Sequence, residues 1–163
     1  MFKLSRQLQR GGGVAIVFNS DLKVEQISNE IQFTHFEKLE CMVSSENKTM
    51  RLCVIYLPPP SRTNNFRNSV IRWMVRFSGS SCRYSRWTYY NWRLIFCLDD
   101  TKDGDARKLI QSLEDHGLIQ HVTGPTHKHG HTLDVLITRE NSSILLGQPI
   151  THDPNIFDQK GII

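Results

Sequence analysis

MRLCVIYLPPP, residues 50–60, is an apolar, β-branched run that closes on three consecutive prolines. Such a run predicts a strand. Proline has no amide hydrogen to give a sheet ladder, so the strand has to stop at Pro58. Upstream, Phe36 to Ser45 alternates, with Leu39, Cys41 and Val43 on one side and Glu37 and Glu40 among the polar positions. That pattern predicts a half-buried strand. The polar SSENKT between the two predicts a turn. Further upstream, Gly11-Gly12-Gly13 leads into VAIVF (14–18), which Asn19-Ser20-Asp21 bounds as a buried strand.

Downstream the period changes. From Asp103 the apolar residues Ala106, Leu109, Ile110 and Leu113 recur on one face of a helix, with Asp103 near its start and Gly117 as its stop. Leu118-Ile119 and Val122 follow, then the loop THKHGHT, then LDVLIT (133–138) as a further strand, with Ile144 to Leu146 expected as another short one. Strands combined with a helix in one chain of 163 residues imply a single layered α/β or α+β domain.

Composition narrows the class without naming a function. Hydrophobic residues make up 39% and charged residues 22%, ordinary for a globular chain. No apolar run reaches the length of a membrane helix, and MFKLSRQLQRGGG lacks the core of a secretory signal, so an intracellular protein, nuclear or cytoplasmic, is expected. Cys41, Cys53, Cys82 and Cys97 are widely spaced and read as buried or incidental thiols. The formal charge of +4 points toward nucleic acid, and its location matters. Arg72, Arg76, Arg83, Arg86 and Arg93 lie in 70–95, a segment without an acid. Without these five, the remaining 15 basic residues stand against 16 acids.

Four stretches in order, QRGGGVAIVF (9–18), CVIYLPPP (53–60), the Asp99-Asp100 helix run ending in GLIQHVTGPTH (99–127), and GHTLDVLIT (130–138), together resemble the endonuclease domain of non-LTR (LINE-type) retrotransposons. That domain belongs to the endonuclease/exonuclease/phosphatase superfamily. The resemblance covers 9–69 and 97–161. It implies an incomplete four-layered α/β sandwich, deoxyribonuclease-like, in which two packed, mainly antiparallel sheets are flanked by helices. It also implies DNA as the partner and Mg2+ as the cofactor of phosphodiester hydrolysis.

Carried over by position, Tyr56 matches the tyrosine that hydrogen-bonds the scissile phosphate, a task suited to a neutral donor. Asp134 matches the carboxylate that orients the catalytic histidine by fixing its tautomer. Thr126 matches a hydroxyl that supports the site, and Thr126 with His127 is assigned to substrate contact. Other family elements find no match. A metal-binding Glu in an E-T-W motif has no counterpart before Gly11. The Ser-Asp-His motif expected after HDPNIFDQKGI does not follow, and His152 has neither its neighbours nor a strand. No metal ligand is identified. Asp99 and Asp100 read as turn and helix-start acceptors. His127, His129 and His131 alternate as transition-metal ligands would, but no fourth ligand is evident and they read as incidental surface histidines.

The segment 70–95 holds all three tryptophans and fits neither helical nor strand period. Where the family has a helix, a strand and the motif Gly-Asp-Phe-Asn, this chain reads NWRLIFCLDD (91–100). A shifted reading frame accounts for the change. One set of codons for 71–94, read one base later, gives FDGWFDFQDHLVDTQGGLTTTGD, restoring T-G-D in register. The Trp92 codon forces the glycine, and an AGA codon for Arg93 followed by a leucine codon beginning with C gives the aspartate. The segment is therefore expected to be frameshifted and poorly ordered. Three readings result: an endonuclease-like domain with an impaired site, a noncatalytic nucleic-acid-binding remnant, and a translation product that does not fold stably.

Overall fold

A computed structural model describes residues 1–4, 13–27, 36–45, 48–57, 72, 88–93, 98–100, 102–155, 158 and 160–163, with backbone alone for 88–93. The strands are β1 (Phe2–Leu4), β2 (Val14–Ile16), β3 (Lys23–Gln26), β4 (Glu37–Ser45), β5 (Lys48–Tyr56), β6 (Thr88–Arg93), β7 (Leu118–Gln120), β8 (Asp134–Arg139), β9 (Thr151–His152) and β10 (Gly161–Ile162), and helix α1 (Gly104–Glu114) lies between β6 and β7.

Six strands form the main sheet in the order β3-β4-β5-β6-β8-β7. All neighbours are antiparallel except β5 and β6, which run parallel. A parallel pair cannot be joined by a tight turn, and the long stretch between Tyr56 and Thr88 is the connection it requires. Two smaller antiparallel sheets pair β1 with β2 and β9 with β10. The class is α/β with packed, mainly antiparallel sheets, as the sequence implies.

Pleating sorts the residues of β4 and β5 onto two faces. One carries Leu39 and Cys41, and the β1–β2 pair packs onto it through the buried Val14 and Ile16. Alternation in β2 explains this: Val14 and Ile16 are buried while Ala15 is exposed. The opposite face of β4 was expected to be solvated. It is buried instead: Lys38, Glu40 and the facing Cys53 are almost inaccessible, Glu40 at 1% exposure. Glu40 accepts hydrogen bonds from Lys38 Nζ at 3.0 Å and from Arg51 Nε. Ion pairing satisfies what the alternation pattern treats as a wet face. Burial pushes the Cys53 thiol far up from its ordinary value, with the charge of Glu40 adding to the effect.

Helix α1 starts where its sequence says. The Asp103 carboxylate accepts from the amides of Asp105 at 2.8 Å and Ala106 at 3.4 Å, two of the donors that a helix start leaves unpaired. Ala106, Leu109 and Leu113 are buried, whereas Ile110 stands at the edge of the apolar stripe, 38% exposed. After the helix, Gly117 adopts φ +62°, a conformation that glycine takes without strain.

Three expectations change. Ile144 to Leu146 forms no strand, and Leu146 is fully exposed. His152, expected outside any strand, lies in β9, exposed and paired with Gly161. Within 70–95, the backbone of Thr88–Arg93 pairs on both sides as the strand β6, although its sequence shows no strand period. Most of the rest of that segment, with Cys82 and Cys97, lies outside the described residues, as do Gly11, Gly12 and Pro58 to Pro60.

Candidate functional site

Tyr56 ends β5 and Asp134 begins β8, and the sheet brings them into one transverse row. Tyr56 is the register partner of Glu37 on β4 and of Arg93 on β6, and Arg93 is the partner of Asp134. Neighbouring strands lie about 4.8 Å apart, so the Cα atoms of Tyr56 and Asp134 are roughly 10 Å from each other across β6. Sequence separation hides this closeness. Only the pairing order of the sheet creates it.

Each member of the row is held locally. Tyr56 is half-buried and packs against the cluster formed by Val14, Ile16, Leu39 and Cys41. Glu37, buried, accepts a hydrogen bond from the amide of Gly13 at 2.5 Å through Oε2. Gly13 has φ +115°, so the glycine run ahead of β2 allows a backbone turn that other residues resist. No sequence feature marked Glu37 as part of this end of the sheet. It sits two residues ahead of Leu39 on the same face, as the register partner of Tyr56.

Thr126 is wholly buried and fixes the start of β8. Its Oγ1 accepts from the amides of Leu133 and Asp134, each at 2.9 Å. The hydroxyl oxygen thus serves the backbone at the start of β8. The loop it opens is closed by its amide and that of His127, both donating to the His131 carbonyl at 3.0 Å. His127 is half-buried, and its Nδ1 accepts from the His129 amide at 3.3 Å. Lys128, His129 and His131 are exposed. Lys128 is paired with Asp158, whose carboxyl this hydrogen bond holds below its ordinary value.

Asp100 is the turn acceptor that the sequence suggests, whereas Asp99 reaches across to the loop before β8 and Asp103 takes the helix start. Asp99 accepts from the Thr132 amide at 2.7 Å and Asp100 from the Lys102 amide at 2.9 Å. His131 lies 3.8 Å from Asp99, and the rings of His127 and His129 stand 5.0 Å apart. Among the described residues, no group of three His, Cys, Asp or Glu comes together as a metal site would require.

With this geometry, the chain is similar over 90% of its length to the endonuclease domain of TRAS1, a telomere-specific non-LTR retrotransposon, covering 69% of that chain at 14% identity with a TM-score of 0.69. Its fold is endonuclease-like. The D. rerio TDP2 structure complexed with a single-strand DNA product is matched over 80% of this chain and 58% of that one, at 10% identity and a TM-score of 0.48. Beta toxin from Staphylococcus aureus is matched over 76% and 52%, at 12% identity and 0.46. No family model and no curated protein matches the sequence. Among the described residues, no helix is long and apolar enough to cross a membrane.

Proposed function

We propose that this chain is a retrotransposon-endonuclease-like domain that binds the phosphodiester backbone of DNA without hydrolysing it. The observation that carries the reading is the row itself: Tyr56 and Asp134, the two positions matched to phosphate contact and histidine orientation, flank position 93, which bears arginine. A phenol and a guanidinium both donate hydrogen bonds to phosphate oxygens. Neither donates an electron pair to a divalent cation at neutral pH. The family's Mg2+ would supply a polarised phosphate and an activated water. The residues of this row do not fit it, and no hydrolytic step is assigned to them.

The loop 126–131 supports the same reading. Thr126 ties it to the first residue of β8, beside the row, and it presents Lys128, His129 and His131 to solvent. An overall charge of +4 adds a general attraction to polyanions. In this role Tyr56 and His127 contact the backbone, while Thr126 and Asp134 hold the geometry.

Two measurements with the full chain decide the matter. Supercoiled plasmid incubated with the protein and Mg2+ is expected to stay supercoiled. Fluorescence anisotropy of a labelled duplex is expected to show binding that weakens as salt rises, the mark of phosphate contacts. Magnesium-dependent nicking that disappears with Asp134→Asn overturns the noncatalytic reading. Absence of salt-sensitive binding removes the DNA reading.

A further inference from the structure

β7 is an edge of the main sheet, with β8 on one side of it. Its ladder fixes which main-chain groups face outward. The amide of His121 donates to the Leu136 carbonyl at 2.8 Å, and that of Glu140 to the Gly117 carbonyl at 3.0 Å. Hydrogen-bonded positions alternate along an antiparallel pair, so Ile119 pairs inward with Thr138, while the N–H and C=O groups of Leu118, Gln120 and Val122 point away from β8. At Val122 both groups are taken by the Gln120 carboxamide, which accepts from the amide and donates to the carbonyl at 2.9 Å. That side chain stands where a further strand would. At Leu118, which is 2% exposed, and at Gln120, the outward main-chain groups meet no protein partner among the described residues. A buried peptide group left in this state costs free energy that a hydrogen-bonding ligand recovers.

The same edge lines a cavity of about 360 Å³ bordered by α1, large enough to take side chains of a bound segment. Leu98, Ile110 and Leu113 supply apolar wall, and Ile110 and Ile119 remain 38% and 40% exposed. Among the described residues, two carboxylates line the cavity, Asp99 and Glu114, and no basic residue does. Glu114 is exposed and makes no ion pair with a described residue. Asp99 gives one oxygen to the Thr132 amide, and its other oxygen lies 3.8 Å from His131, beyond hydrogen-bond reach. β7 itself, Leu-Ile-Gln, has neither the lysine nor the proline that blunts an exposed edge.

We propose that this edge docks an extended segment of a partner protein in which lysine or arginine alternates with apolar residues. The main chain of that segment pairs with Leu118 and Gln120, an apolar side chain enters the cavity, and basic side chains meet Glu114 and Asp99. Charge decides the class of partner. An apolar cavity rimmed by carboxylates attracts a cationic strand and repels an acidic one. The Gln120 carboxamide ends the pairing at Val122, so the added strand is short. Docking there is independent of the proposed DNA contact, because β7 carries no residue of the row that joins Tyr56 to Asp134.

The probe is the end-blocked peptide Lys-Leu-Lys-Leu-Lys, added at millimolar concentration to the full chain without DNA while amide hydrogen exchange is followed residue by residue by NMR. In the free chain the amides of Leu118 and Gln120 are expected to exchange faster than that of Ile119, which the β8 ladder holds. The peptide is expected to slow Leu118 and Gln120 at least about tenfold, and by more than it slows Ile119. Glu-Leu-Glu-Leu-Glu, and the lysine peptide methylated on every backbone nitrogen, are expected to give no protection. Asp99→Asn combined with Glu114→Gln keeps the acceptor for the Thr132 amide and is expected to weaken peptide binding at least about fivefold. No slowing at Leu118 and Gln120 overturns the proposal, as does equal slowing by the acidic peptide or an unchanged affinity in the double variant. Slowing that survives backbone methylation also overturns it, since the cavity then takes a side chain without an added strand.

Discussion

The β4–β5 hairpin and the β7–β8 pair flank β6 on opposite sides, and they bury polar groups in opposite ways. In β4–β5 the buried groups are charged: Glu40 lies between Lys38 and Arg51, and side chains satisfy side chains. Around β7–β8 they are neutral hydroxyls. Thr126 accepts from two backbone amides, Thr132 donates to the Gly124 carbonyl at 3.1 Å, and Thr138 donates to the Arg139 carbonyl at 3.0 Å. Beside Thr138, His121 Nε2 lies 2.8 Å from its oxygen, and burial holds that imidazole below its ordinary pKa and so favours the neutral ring. The difference teaches where each region fails. A charged trio fails by losing a shared counterion, a hydroxyl by leaving an amide or two.

Three substitutions break this contrast in descending order. Glu40→Ala takes from the buried Lys38 and the half-buried Arg51 the carboxylate they share, and is expected to destabilise the fold by about 3 kcal/mol. Urea unfolding followed by circular dichroism measures it, and a loss below that of the next variant removes the claim that the trio is the more demanding device. Thr126→Val keeps the shape but strands the amides of Leu133 and Asp134, at a cost of about 2 kcal/mol. Thr126→Ser, which retains the oxygen, is expected to recover most of it. Because the loss sits at the start of β8, amide exchange of Asp134 should accelerate in Thr126→Val more than that of Leu136; equal acceleration argues against a local role. Asp103→Ala removes the acceptor at the start of α1, outside both regions, and is expected to cost about 1 kcal/mol. A neutral outcome there means that another group takes up the Asp105 and Ala106 amides.

How much of this was legible depended on whether local pattern and tertiary environment agreed. LDVLIT reads as a buried strand and is one, because continuous apolar residues can only be stabilised by cover on both faces. Asp103 and Gly117 mark the ends of the helical region, because capping is decided within one turn of chain. Glu37 and Glu40 misled the reading of β4, since alternation assigns charge to solvent and cannot register that Arg51, on the next strand, supplies the counterion. β3 and β6 escaped notice for a related reason. KVEQ and TYYNWR lack a clear apolar face, and their strand character comes from pairing, with β4 for the edge strand β3 and with β5 and β8 for β6.

The candidate site divides in the same way. Tyr56, Asp134 and Thr126 are candidates through the family resemblance of the stretches around them. Sequence placed Thr126 at the substrate; the structure turns its oxygen to the backbone of Leu133 and Asp134. Glu37 and Arg93 carried no motif at all. Pairing alone puts them in one row with Tyr56 and Asp134, a relation that no local pattern reveals.

By itself, the sequence determined a layered domain of strands and helix, with strands around Val14, Leu39, Val54 and Leu136 and a helix from Gly104. These are properties of hydrophobic period, capping and proline chemistry, each complete within a few residues. Only the tertiary structure decided that β6 runs between β5 and β8, and therefore that an arginine stands in the row joining Tyr56 to Asp134. Register is a relation between distant segments, set by which faces can be buried together, and no stretch of a few residues contains it.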